Sequence, residues 1–149
     1  MYFDWEIEQM DIKTAFLYPE IEEEVYIAIP EAYQEFHPNE KLKEEVFWLL
    51  KTLYGLRQSP LAWYKKVDSF LRSKGLVRSN EDSSLYISED LTVILFVDDI
   101  LLFAKNKDTI VTAKKWLTDE YKMTNHGDLK QFLEMQIERD RKAKTMFVG

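Results

Sequence analysis

The chain has 149 residues, of which 46% are apolar and 14% aromatic, enough for one globular core. It carries a formal net charge of −7 with a pI near 4.9, whereas a free-standing nucleic-acid binder is usually basic because it must neutralise phosphates. Cysteine is absent, which excludes disulfides and thiolate metal sites, and no apolar run approaches the roughly 20 residues that a bilayer span needs.

The first amino acids, Met1 to Glu6, show no basic segment followed by an apolar one, so no signal peptide is expected. There is no repeat, low-complexity tract or Ser/Gly linker, and one domain is expected over residues 1–149. A strand is predicted through Glu6–Ile12, turning at Lys13–Leu17 into a short helix. Val25–Ile29, β-branched and aromatic and closed by Pro30, reads as a second strand, and Val46–Leu50 as a third. Ser59-Pro60 predicts a helix start, with Ser59 as N-cap and Pro60 at the first helical position. Leu61, Tyr64, Val67, Phe70 and Leu71 follow near a 3.6-residue period as far as Gly75. Ser84–Ile87, Thr92–Val97 and Ile100–Ala104 read as strands. Asp108–Tyr121 reads as a second amphipathic helix on Ile110, Val111, Ala113, Trp116 and Leu117. A final strand is expected over Phe132–Ile137, leaving Met146–Val148 at the end. The order implies an α+β domain with an antiparallel sheet.

Charge is unevenly placed. Glu20, Glu22, Glu23 and Glu24 form an acidic cluster, and Lys51, Arg57, Lys65, Lys66, Arg72, Lys74 and Arg78 a basic central stretch. Solvated surface accounts for both.

The most informative segment is Leu95-Phe96-Val97-Asp98-Asp99-Ile100-Leu101-Leu102-Phe103-Ala104, two apolar strands around adjacent carboxylates. An acidic, wet hairpin turn is the plainest account of it. Yet Asp-Asp is a poor two-residue turn, because the favoured hairpin turns want Asn-Gly or Asp-Gly. Adjacent carboxylates also repel unless a cation sits between them, and a hard divalent ion with oxygen ligands is the natural partner. A two-metal phosphoryl-transfer site needs a further acid, and Asp11 at the end of the first strand is the candidate.

Taken together, the motifs carry a resemblance. Gln9-Met10-Asp11-Ile12-Lys13-Thr14-Ala15-Phe16-Leu17 is similar to the first catalytic motif of Ty1/copia-type retrotransposon reverse transcriptases. Leu53-Tyr54-Gly55-Leu56-Arg57-Gln58-Ser59-Pro60, followed by Trp63-Tyr64, resembles their template- and nucleotide-contacting motif. Phe96-Val97-Asp98-Asp99 resembles their Asp-Asp box, and Gly127–Leu133 their primer-grip region. The four motifs are collinear from about Trp5 to Arg141.

The resemblance implies a palm fold: an antiparallel sheet with two helices packed on one face, a ferredoxin-like split βαβ. It implies two Mg²⁺ ions, or Mn²⁺, held by Asp11, Asp98 and the backbone carbonyl of Ile12, with Asp99 assisting. Phe16 matches the steric gate that selects deoxynucleotides, and Tyr54, Gly55 and Gln58 match positions beneath the incoming base pair and template. Core packing is the competing role for these, and the assigned role for Trp63. Phe132, Leu133 and Glu134 fall at the primer grip. Implied partners are a template-primer of RNA or DNA and a dNTP, with no membrane, in a cytoplasmic virus-like particle or the nucleus.

Against the family's pattern, the chain is expected to be a Gag-Pol fragment lacking fingers, thumb and RNase H, with self-association on the surface those parts would cover. An incoming nucleotide would bring about four negative charges to three carboxylates, and two divalent ions would leave the assembly net negative. Tyr18-Pro19 stands where the family has Asn-Gly, and Leu61 where it has Arg. Glu134 stands where it has Gly, putting bulk and negative charge against a primer phosphodiester and weakening primer binding. An inactive remnant, or a palm co-opted as a structural or interaction domain, is the alternative. A metal-dependent nuclease or phosphatase finds little support, because neither His37 nor His126 stands near a plausible general-base position.

Overall fold

The computed structural model describes residues 4–38 and 46–149. In chain order the elements are β1 (Glu6–Ile12), a 3₁₀ turn (Ala15–Leu17), β2 (Tyr26–Ala28), α1 (Tyr33–Phe36), β3 (Val46–Trp48) and α2 (Ser59–Ser73). After these come β4 (Val77–Arg78), β5 (Leu85–Ile87), β6 (Leu91–Phe96), β7 (Asp99–Ala104) and α3 (Lys107–Glu120). The chain ends in β8 (Met123–Asp128), β9 (Gln131–Phe132), β10 (Met135–Asp140) and β11 (Thr145–Val148). The protein is α+β with antiparallel sheets. It divides into two compact units, one formed by the chain up to Ala15 and from Val67 onward, the other by Phe16–Lys66.

The larger unit is built on a six-stranded sheet in the order β4-β5-β6-β7-β1-β8. Its central strands are the β-branched and leucine-rich runs, and alternate residues face opposite ways. Register places Tyr86, Val93, Leu102 and Glu8 in one row across β5, β6, β7 and β1. Both long helices meet this face. Asp68 of α2 accepts a hydrogen bond from Tyr86 Oη at 3.0 Å, and Lys114 of α3 pairs with Glu8. Between helices and sheet lie Met10, Ile100, Leu102, Val93, Val67, Ile110 and Leu117, all nearly inaccessible. Burial and the Asp68 carboxylate push the Tyr86 hydroxyl well above the ordinary tyrosine range. Asp68 also pairs with Arg72 at 2.8 Å and with Arg78 at 3.8 Å.

In the smaller unit β2 pairs antiparallel with β3, Ile27 facing Phe47. Leu53–Leu56 form a turn closed by the Leu56 N–H donating to the Leu53 carbonyl at 3.3 Å. Gly55 is its third residue at φ 91°, where a type II turn requires glycine. Two fully buried hydroxyls knit the segment: Thr52 donates to the Phe16 carbonyl and Ser59 to the Leu53 carbonyl.

Several expectations need correction. Ser59 does not cap α2; it is the first helical residue, the Gln58 carbonyl accepts the first bond from Ala62, and the Ser59 hydroxyl is spent on Leu53. Leu61 and Val111, counted among the apolar helix positions, are 58% and 64% exposed, so the buried stripes are narrower than the apolar ones. The strand expected over Phe132–Ile137 is broken by a two-residue turn at Leu133-Glu134, which folds β9 back on β10 with Phe132 opposite Met135. Leu-Glu carries no turn signal, and Leu133 takes φ 55°, a conformation that disfavours leucine. Among the described residues, no helix is long and apolar enough to cross a membrane.

Leu102 is fully buried at the sheet centre, so Leu102→Ala should lower the unfolding free energy by about 2–5 kcal/mol. The exposed Val111→Ala should stay within about 0.5 kcal/mol of wild type. Urea titrations of both variants measure the difference.

Candidate functional site

Strands β6 and β7 form a hairpin in which Phe96 pairs with Asp99 and the turn is Val97-Asp98. Val97 has φ 56°. Positive φ at the first turn position is what a type II′ hairpin needs, and glycine normally supplies it. A β-branched residue there is an outlier of the strained kind that clusters at functional sites. The turn is tied to the neighbouring strand, because the Ile12 N–H donates to the Asp98 carbonyl at 2.8 Å.

Strand β1 runs antiparallel to β7 with Asp11 directly opposite Asp99. Directly paired residues share a face, so the register puts Phe96, Asp99, Asp11 and Thr124 in one row on the face opposite the helices. Register therefore sets Asp11 beside Asp99 at one end of the β6–β7–β1 array, with Asp98 in the adjoining hairpin turn. All three are half-buried. Burial, followed by the negative charges of Asp11 and Asp99, pushes the Asp98 carboxyl above the ordinary aspartate value of 3.8.

Among the described residues no three Asp, Glu or His side chains converge into a ready-made metal cage. The donor chemistry nonetheless suits a hard divalent cation: oxygen ligands only, held close enough to repel. Mg²⁺ typically takes one or two protein carboxylates and completes its shell with water and substrate phosphates, so a protein-only cage is not required.

The remaining motif residues fall elsewhere. Phe16, Tyr54, Gly55 and Gln58 belong to the smaller unit. There the Phe16 and Tyr54 rings pack at 4.8 Å between centroids, tilted by 57°, with Tyr54 half exposed. Gln58 Nε2 donates to Glu23 at 3.0 Å. Trp63 is buried beside Tyr18, in keeping with a packing role. Phe132 is buried, while Leu133 and Glu134 form the exposed turn between β9 and β10. Leu133, not Glu134, holds the left-handed conformation there.

Two residues near the carboxylates were missed in the sequence. Gln9 Nε2 donates to Asp99 Oδ1 at 3.3 Å. His126, read from sequence as remote from any catalytic position, lines a cleft of about 370 Å³ with Gln9, Asp99, Lys130 and Leu133. Strand alternation could have flagged Gln9, two residues before Asp11 on the same face; nothing in the sequence places His126.

Residues 2–147 match the family described as reverse transcriptase (RNA-dependent DNA polymerase). The chain belongs to this family. It is 37% identical over 98% of its length to the retrovirus-related Pol polyprotein from transposon TNT 1-94 of Nicotiana tabacum, covering 11% of that protein. It is 35% identical over 96% of its length to the transposon Ty1-DR1 Gag-Pol polyprotein of Saccharomyces cerevisiae, covering 8% of it. It is 30% identical over 91% of its length to the retrovirus-related Pol polyprotein from transposon RE2 of Arabidopsis thaliana, covering 9%. The chain thus spans about a tenth of these relatives' length. No solved structure matches it.

The facing carboxylates should cost stability when no cation is bound. Replacing Asp11 by Asn removes a like-charge cross-strand pair and should raise the unfolding free energy by about 0.2–1 kcal/mol at neutral pH. Asp98 binds its proton more readily folded than unfolded, so ionising it destabilises the fold and its contribution improves as pH falls through the raised value. Thermal melts in chelator should therefore show Asp98→Asn above wild type at pH 7, the gap closing as pH falls towards 3.8. A variant no more stable than wild type at pH 7 would contradict this.

Proposed function

We propose that the chain is the palm of an RNA-directed DNA polymerase, its larger unit a ferredoxin-like split βαβ. It would add deoxynucleotides to a primer in a Ty1/copia-type polyprotein. The observation that carries this reading is the direct opposition of Asp11 and Asp99, with Asp98 at the adjoining hairpin tip, in a chain of the reverse transcriptase family.

In this reading Asp11, Asp98 and the Ile12 carbonyl hold two divalent cations, with Asp99 assisting. The cations, when bound, supply Lewis-acid stabilisation of the attacking and leaving oxygens. The primer 3′-oxygen bonds to the α-phosphorus of the dNTP, the bond to the β-phosphate oxygen breaks, pyrophosphate leaves and the hydroxyl proton is lost. The chain's own part is orientation. The Ile12–Asp98 backbone bond ties the hairpin tip to β1, and the sheet register fixes Asp11 against Asp99. Phe16 would exclude a ribose 2′-hydroxyl, and Tyr54, Gly55 and Gln58 would support the template and incoming base. Phe132, Leu133 and Glu134 would border the primer strand. Fingers, thumb and RNase H segments of the longer polyprotein would supply most phosphate contacts.

The test is primer extension by the purified chain on an RNA template with Mn²⁺ or Mg²⁺, alongside Asp98→Asn. Metal-dependent extension falling about a hundredfold or more in the variant is the expected result. Metal binding without extension fits a palm that needs those other segments. A chain that neither binds metal nor extends a primer would favour the inactive remnant. Glu134→Gly should tighten primer-template binding severalfold in fluorescence anisotropy, since it removes a carboxylate from the turn; unchanged affinity would remove Glu134 from the primer path.

A further inference from the structure

Gln9 sits on the carboxylate-bearing face of β1, two residues before Asp11. Its direct partner across β7 is Leu101, so its bond to Asp99 runs diagonally, a reach that a long side chain covers. On its other side it pairs with Gly127, beside a bulge in the β1–β8 register. Glycine places no side chain there, and Gln9 lines a cleft with Asp99, His126 and Leu133.

We propose that Gln9 is a positioning residue for Asp99, donating to one carboxylate oxygen and so fixing the rotation of the group that faces Asp11. The inference rests on the two-metal reading and adds to it a residue that is neither ligand nor substrate contact. The chemistry favours glutamine at this position. Glutamate would bring a further negative charge to a face that already confronts Asp11 with Asp99, beside a cleft that Asp128 also lines. Lysine or arginine would form an ion pair with Asp99 and compete with a cation for it. Methionine would fill the same volume and leave the carboxylate free to turn. A neutral amide donates a hydrogen bond to an ionised acceptor, stronger than a bond between neutral groups, without cancelling the charge. Outer-shell donors of this kind orient metal-binding carboxylates.

The experiment is a Mn²⁺ titration of the purified chain, followed by the electron paramagnetic resonance signal of free Mn²⁺, on wild type, Gln9→Met, Asp99→Asn and the double variant. Gln9→Met should bind Mn²⁺ about tenfold more weakly while still folding, as a cooperative melting transition would show. In the Asp99→Asn background it should add no further loss, because the partner through which it acts is gone. Gln9→Ala, which removes the amide without filling its place, should show the same pattern and serves if Gln9→Met folds poorly. Wild type and Gln9→Met binding equally, or an equal loss in both backgrounds, overturns the role of Gln9 alone. No Mn²⁺ binding by wild type overturns the two-metal reading and this inference with it.

Discussion

The structure is organised around a conflict: two aspartates placed face to face on neighbouring strands, with a third at the adjoining turn. Like charges directly opposite each other cost an antiparallel pair stability, typically about 0.2–1 kcal/mol. Around them the sheet supplies far more. Val93, Ile100, Leu102 and Met10 are essentially inaccessible to solvent, and fully burying one such side chain is worth about 1.5–3 kcal/mol. The repulsion is thus small beside what the core supplies. The strained φ of Val97 belongs to the same pattern, since the hairpin holds a β-branched residue where glycine would be at ease.

This division between a buried face and a carboxylate-bearing face explains what could be read in advance. β6 and β7 came from apolar runs, β1 from residues that suit a strand, α3 from its amphipathic spacing, and α2 from Ser59-Pro60 with its apolar positions. The aspartates were legible because two carboxylates between apolar strands are an awkward turn that asks for a reason. Their meeting with Asp11 depended on the resemblance and on pairing between strands that lie some ninety residues apart, which no local pattern encodes.

What was missed fails for physical reasons. β8 reads Met-Thr-Asn-His-Gly-Asp, with little strand propensity; it is a strand because β1 offers it an unpaired edge, and its bulge absorbs the mismatch. The turn at Leu133-Glu134 has no glycine, asparagine or proline to announce it. Ser59 has the chemistry of a cap but sits buried, where the Leu53 carbonyl needs its proton more than the helix end does. Gln9 looks in sequence like one polar residue among several on a strand, and only the register gives it Asp99 as a partner.

The acidic composition acquires a structural meaning through the basic residues. Arg72 and Arg78 bind Asp68, which also receives the Tyr86 hydroxyl, and Lys74 lies over the Phe70 and Trp116 rings. Arg139 pairs with Asp4, and Arg141 with Glu6, whose carboxyl it holds below the ordinary glutamate value. Part of the basic stretch read from sequence as solvated surface is therefore engaged within the fold, Arg78 linking β4 to α2, while Arg141 ties the end of β10 to Glu6 of β1. A cation engaged by a carboxylate neutralises a phosphate only by giving up that partner.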